Sequence, residues 1–79
     1  MYYVYILKSL KTGIYYKGLT DNLDRRLRQH LTGRSPTTRH QLPLLLVHVE
    51  ICEMRQQARE LEKFFKSGFG REVIKEIDS

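Results

Sequence analysis

Two runs of aromatic and β-branched residues, 2–7 and 14–19, flank the turn-forming stretch Ser9-Leu10-Lys11-Thr12-Gly13, and this pairing restricts the fold more than any other feature. Such runs favour strands, and a short polar linker with glycine joins them as a β-hairpin. If Leu10 opposes Gly13, Tyr16 faces Leu7 and Gly18 faces Tyr5. With an even loop and no bulge, Tyr5 and Tyr16 then share one face as diagonal neighbours about 7–8 Å apart. Gly18, having no side chain, leaves open space opposite the Tyr5 ring.

Beyond the hairpin the apolar period changes from two to about 3.6. Thr20, Asp21 and Asn22 are all N-cap residues, and Leu23, Leu27 and Leu31 follow at helical spacing up to Gly33. On this helix Arg26 and His30 stack one turn apart beside the apolar stripe, facing the hairpin, while Arg25 and Arg28 point away. Residues 33–42 read as a loop, long enough to signal function or mobility. Pro43 opens a third strand in which Leu45, Val47, Val49 and Ile51 form the more apolar, core-facing set. A second helix from about Met54 carries Met54, Ala58, Leu61 and Phe65 on one arc and ends at Ser67-Gly68. A short third helix after Gly70 uses Val73, Ile74 and Ile77. The expected fold is α/β, in the order β-β-α-β-α-α, within one domain spanning residues 1–79.

A chain of 79 residues supports one small core. Its longest apolar stretch, 42–47, contains Pro43 and is too short to cross a bilayer. The first residues lack a basic segment and a small-residue cleavage site, so no secretory leader is expected. The single cysteine, Cys52, forms no internal disulfide and no multi-cysteine zinc cluster; a cytoplasmic location is expected, with Cys52 as a small core residue. Residues 1–42 hold eight Lys and Arg against two Asp, a net +6, whereas residues 43–79 hold six against seven acids, a net −1. A basic lobe of this kind suits a polyanion, because neutralised phosphates release their counterions.

With these elements in order, the chain resembles the GIY-YIG nuclease superfamily, in particular its small single-domain bacterial members, and more distantly the N-terminal nuclease domain of an excinuclease. Val4-Tyr5-Ile6 stands where the family has GIY, and Tyr16-Lys17-Gly18 stands where it has YIG, eleven residues on from tyrosine to tyrosine. The stretch from Tyr16 to His30 is similar to the family's run from YIG to its arginine and histidine, here Arg26 and His30. Ala58-Arg59-Glu60-Leu61-Glu62 is similar to the glutamate helix, with Glu62 four residues after the alanine. Glu60 is the rival, but it lies farther from the apolar stripe. Lys17 replaces the usual apolar residue of YIG, and the late asparagine of some members is missing, Asn22 being the only one.

The resemblance implies a three-stranded antiparallel sheet flanked by helices and a metal-dependent endonuclease acting on DNA. Hydrolysis of a phosphodiester needs an activated water, charge stabilisation at phosphorus and help for the leaving alkoxide. By resemblance, Tyr16 is the base, Tyr5 orients water or phosphate, and Glu62 holds one Mg²⁺ or Mn²⁺. These hard cations take oxygen ligands and retain waters, so one carboxylate suffices. Arg26 offers a planar fork to phosphate oxygens, and His30 polarises the tyrosine or carries its proton. Lys17, Arg34 and Arg39 are expected phosphate contacts. The alternatives are a catalytically weak or inactive nucleic-acid-binding module, and a protein-interaction domain on the same fold. Taken singly, two strand tyrosines or one helical glutamate are ordinary packing and surface residues; it is their order and spacing together that favours catalysis.

Overall fold

The computed structural model describes residues Met1 to Ser79. Three strands, β1 (Tyr2–Ser9), β2 (Tyr15–Thr20) and β3 (Leu44–Cys52), form an antiparallel sheet in the order β2-β1-β3. Three helices complete it: α1 (Leu23–Leu31), α2 (Arg55–Lys66) and α3 (Gly68–Asp78). The architecture is the α/β order expected from the sequence. No helix is long and apolar enough to cross a membrane.

The central strand explains the sheet. Val4, Tyr5, Ile6 and Leu7 are all buried, because β1 has a strand on each side and helices over both faces. Val4 and Ile6 pack with Ala58 and Phe65 of α2 and Ile74 of α3. Tyr5 and Leu7, on the opposite face, pack with Leu44, and Leu23 and Leu27 of α1 lie against them. Each fully buried aliphatic side chain contributes about 1.5–3 kcal/mol. The hairpin register is the one that opposes Leu10 to Gly13, with Tyr5 facing Gly18 and Leu7 facing Tyr16. Ser9 belongs to the strand rather than the turn. Its Oγ accepts from the Lys11 and Thr12 amides at 3.2 and 3.1 Å and donates to the Gln41 carbonyl at 2.7 Å.

β3 departs from the expected alternation. A β-bulge lies between the pairs Ile6/His48 and Leu7/Leu46, leaving Val47 as the extra residue. One unpaired residue reverses the side on which every later residue points. Leu44 and Leu46 therefore share the α1 side with Leu7, and so do Val49 and Ile51 beyond the bulge. The expected face Leu45, Val47, Val49, Ile51 is split. Leu44 is core instead, Val47 and Val49 are half-buried against the clusters on opposite faces, and Leu45 and Ile51 are 49% and 63% exposed. Cys52 is a half-buried packing residue, as expected.

The helix boundaries follow their caps. Asn22 caps α1, its side chain accepting from the Arg25 amide at 3.1 Å. The stripe of α1 ends early, with Leu31 exposed and His30 buried, because the last turn meets the returning polar loop rather than the apolar sheet. Met54 is the exposed N-cap of α2 and not part of its buried arc. α3 starts at Gly68 rather than beyond Gly70, since Ser67 Oγ accepts from the Gly70 amide at 3.0 Å. Gly70 sits directly on the Phe64 carbonyl, where any Cβ would overlap backbone, and this close approach sets the sharp α2–α3 junction.

Candidate active site

Tyr5 and Tyr16 reach the same face of the sheet because their positions, one opposite Gly18 and one opposite Leu7, differ by two residues along β2. The Tyr5 ring lies across Gly18, whose missing side chain is what admits it; a Cβ there would overlap Tyr5 Oη and Cζ. This carries the phenol from the central strand out towards the β2 edge. α1 then presents Arg26 and His30 from one side. α2, packed on the other face of the sheet but also against β2, brings Glu62 to the same edge.

The result is an open cavity of about 230 Å³ lined by Tyr5, Tyr16, Arg26, His30 and Glu62, together with Lys17, Gly18, Leu19, Thr37 and Thr38. The five residues singled out in the sequence thus meet in one concave surface although they come from four elements. Glu62 is the sole carboxylate in the lining, and its Oε2 lies 3.5 Å from Lys66 Nζ, the i,i+4 pair its position allows. Glu60 is exposed and does not line the cavity, and neither Arg34 nor the exposed Arg39 does so.

His30 is the hub. Tyr5 Oη lies 2.9 Å from His30 Nε2, and His30 Nδ1 lies 2.7 Å from Thr38 Oγ1. Both bonds are buried, and Thr38 is wholly so. The loop 33–42 is therefore a built wall rather than a mobile tether. The Arg34 and Ser35 amides donate to the Gln29 carbonyl, and a single 3-10 turn at Arg39–Gln41 returns the chain to β3. Thr38 is the residue sequence reading missed. Its only sequence signal is a hydroxyl eight residues after His30, in a stretch without periodicity.

The electrostatics keep this chain of hydrogen bonds neutral. Burial pushes the Tyr5 phenol above its ordinary value, with the Arg26 guanidinium opposing. Burial, and then the Arg26 charge, holds the His30 imidazole below its ordinary value of 6.5. Arg26 itself is steadied by Gln29, to whose Oε1 its Nη1 donates at 2.9 Å.

A pH dependence follows from His30. A folded-state value below that of the unfolded chain means that acidification protonates the unfolded state first. Stability from neutral His30 is full above about pH 6.5, declines as pH falls below it, and levels off below the folded value. Denaturant midpoints measured between pH 8 and pH 5 should show this decline, and His30→Gln should flatten it. Parallel curves for the two proteins would remove the neutral histidine from the account.

A single carboxylate beside hydroxyl groups in an open cavity fits Mg²⁺ or Mn²⁺, which draw their remaining ligands from water and phosphate.

A family model for the GIY-YIG catalytic domain matches residues 1–75. The chain is 35% identical over 66 residues to a UPF0213 protein of Bacillus licheniformis, covering 82% of this chain and 67% of that protein. It is 38% identical over 55 residues to a UPF0213 protein of Bacillus cereus, covering 68% and 57% respectively. For a UPF0213 protein of Clostridium perfringens the figures are 39% over 67 residues, 84% and 71%. Against these relatives the chain spans from 57% to 71% of their length. The solution NMR structure of a UPF0213 protein of Bacillus halodurans superimposes with a TM-score of 0.60 at 32% identity, over 98% of this chain and 85% of that one. With the family model matched from residue 1 to 75, the chain belongs to the GIY-YIG family of nucleases, beside the small bacterial UPF0213 proteins.

Proposed function

We propose that the protein is a metal-dependent endonuclease that hydrolyses DNA phosphodiester bonds. The observation that supports this most directly is the convergence of Tyr5, Tyr16, Arg26, His30 and Glu62 on one open cavity. Packing alone does not require two phenols, a guanidinium, an imidazole and a carboxylate to share one surface.

The residues divide the work by their partners. Tyr5 gives its hydroxyl to the His30 bond and is held neutral by burial, so it positions rather than abstracts a proton. Tyr16, which has no such partner in the hydrogen-bond network, is the base. In its phenolate form it takes the proton of the attacking water as the water oxygen bonds to phosphorus and the P–O bond to the leaving group breaks. Arg26 holds the non-bridging oxygens as a planar fork, and its charge grows in value as negative charge develops there. Glu62 would hold Mg²⁺ or Mn²⁺, which when bound supplies charge stabilisation to the phosphoryl oxygens and the leaving alkoxide. Neutral His30, locked by Thr38, fixes the Tyr5 phenol towards the cavity. Lys17, Arg34 and Arg39 contact the flanking phosphates, Lys17 from the cavity wall and the two arginines from the loop.

Supercoiled and branched DNA incubated with Mg²⁺, with Mn²⁺ and with EDTA tests the proposal. Nicking is expected with either metal and not with EDTA. Salt-sensitive binding with no nicking under any of these conditions would leave a binding module, and no response to nucleic acid at all would leave a protein-interaction domain.

A further inference from the structure

A second and larger hollow adjoins the candidate active site. It has a volume of about 480 Å³ and lies between the hairpin and α3, lined by Gly13, Ile14, Tyr15, Lys17, Gly68, Arg71, Glu72 and Lys75. Lys17 lines both hollows, from a strand position opposite Ile6 whose side chain lies on the α2/α3 face of the sheet. This position is where the family motif carries an apolar residue.

Two elements line this groove with positive charge. Lys17 comes from β2 and Arg71 and Lys75 from α3, while Lys66 at the end of α2 lies close to Arg71 without lining the groove. The one acid in the lining, Glu72, is 3.4 Å from Lys75, but both side chains are largely exposed, so the pair is weak and screened by solvent. Arg71 spends one donor on the Lys66 carbonyl, at 3.4 Å, and keeps the rest of its fork free. The like charges are felt: burial, then Arg71 and Lys66, hold the Lys17 ammonium below its ordinary value. Lys66 and Lys75 are each paired with a carboxylate of their own helix, Glu62 and Glu72, whereas Lys17 and Arg71 have none, and a polyanion laid along the groove would relieve their mutual repulsion.

We propose that this groove binds the phosphate backbone of the nucleic acid beside the scissile bond, with Lys17 joining the reacting phosphate to a second phosphate held by Arg71 and Lys75. The inference rests on the nuclease reading for the identity of the first hollow. It adds to the expected contacts of the basic first half two cations from the net-acidic second half, Arg71 and Lys75. The strand's path is thereby set along the β2 edge towards the start of α3.

The test uses the intact chain with Arg71→Gln/Lys75→Gln, both side chains being exposed and the fold checked by thermal denaturation. Binding of fluorescent oligonucleotides is titrated over a salt series. Two lost phosphate contacts should flatten the slope of log K against log salt by about 1.4 on single strands or about 1.8 on duplex, and weaken affinity about tenfold at low salt. An equal charge removal at Arg55→Gln/Arg59→Gln, exposed on α2 and outside both hollows, should leave the slope within about 0.5 of wild type. In nicking assays the groove variant should raise KM about tenfold at unchanged kcat. An unchanged slope, or an equal change in both variants, overturns the groove even if the wild type nicks DNA. A flattened slope confined to Arg71→Gln/Lys75→Gln sustains it even if no nicking is seen, which would count against the nuclease reading alone.

Discussion

Glu62→Gln should abolish metal-dependent nicking while leaving the fold in place, a loss on the order of a thousandfold, equivalent to about 4 kcal/mol of transition-state stabilisation. Glu62 is the only carboxylate in the cavity, and in the proposed mechanism it is the residue that would hold the metal. The amide keeps the shape and loses the charge. Its sole ion pair in the fold is with Lys66 at 3.5 Å, within one helix and partly exposed, so the change costs little stability. Glu60→Gln, two residues away and outside the cavity, should nick at the wild-type rate. The reverse pattern, activity kept in Glu62→Gln and lost in Glu60→Gln, would move the metal to Glu60 and require α2 to be rotated from its present phase.

Gly18→Ala should be nearly as damaging, for a steric reason. The new Cβ would overlap Tyr5 Oη and Cζ, and Tyr5 cannot easily yield because it is buried and bonded to His30. Overpacking at such a site costs about 1–3 kcal/mol of stability. Displacing the ring by about 1 Å breaks the Tyr5–His30–Thr38 chain and should lower nicking about a hundredfold. Tyr5→Phe already lacks the His30 bond that Gly18→Ala would break, so their activity losses should be strongly non-additive when combined, while the overlap with Cζ and its stability cost remain. Wild-type stability and activity in Gly18→Ala would show that the ring does not need to cross the strand there.

The crossing of Tyr5 over Gly18 shows how far the sequence can be read. Hairpin register, and with it the common face of Tyr5 and Tyr16, follows from turn chemistry and a period of two, because both are local. The shelter of Arg26 and His30 and the exposure of Arg25 follow from helix phase in the same way. β3 was not legible to that degree. A single extra residue, Val47, reverses its alternation, and nothing in Leu44 to Cys52 marks where the bulge must fall. The bulge is fixed by pairing with β1, a strand far earlier in the chain.

Propensity, capping and periodicity act over a few residues, so the chemical groups this protein owns, their order, and the local faces on which Tyr5, Tyr16, Arg26, His30 and Glu62 lie are legible from the chain alone. It takes the folded arrangement to bring α2 to the β2 edge so that Glu62 meets the tyrosines, to close Thr38 on His30, and to put Arg71 and Lys75 in a groove with Lys17. Those meetings join residues far apart in the chain, and they are set by how two faces of one small sheet bury their apolar side chains against three helices, a global condition that no window of the sequence contains.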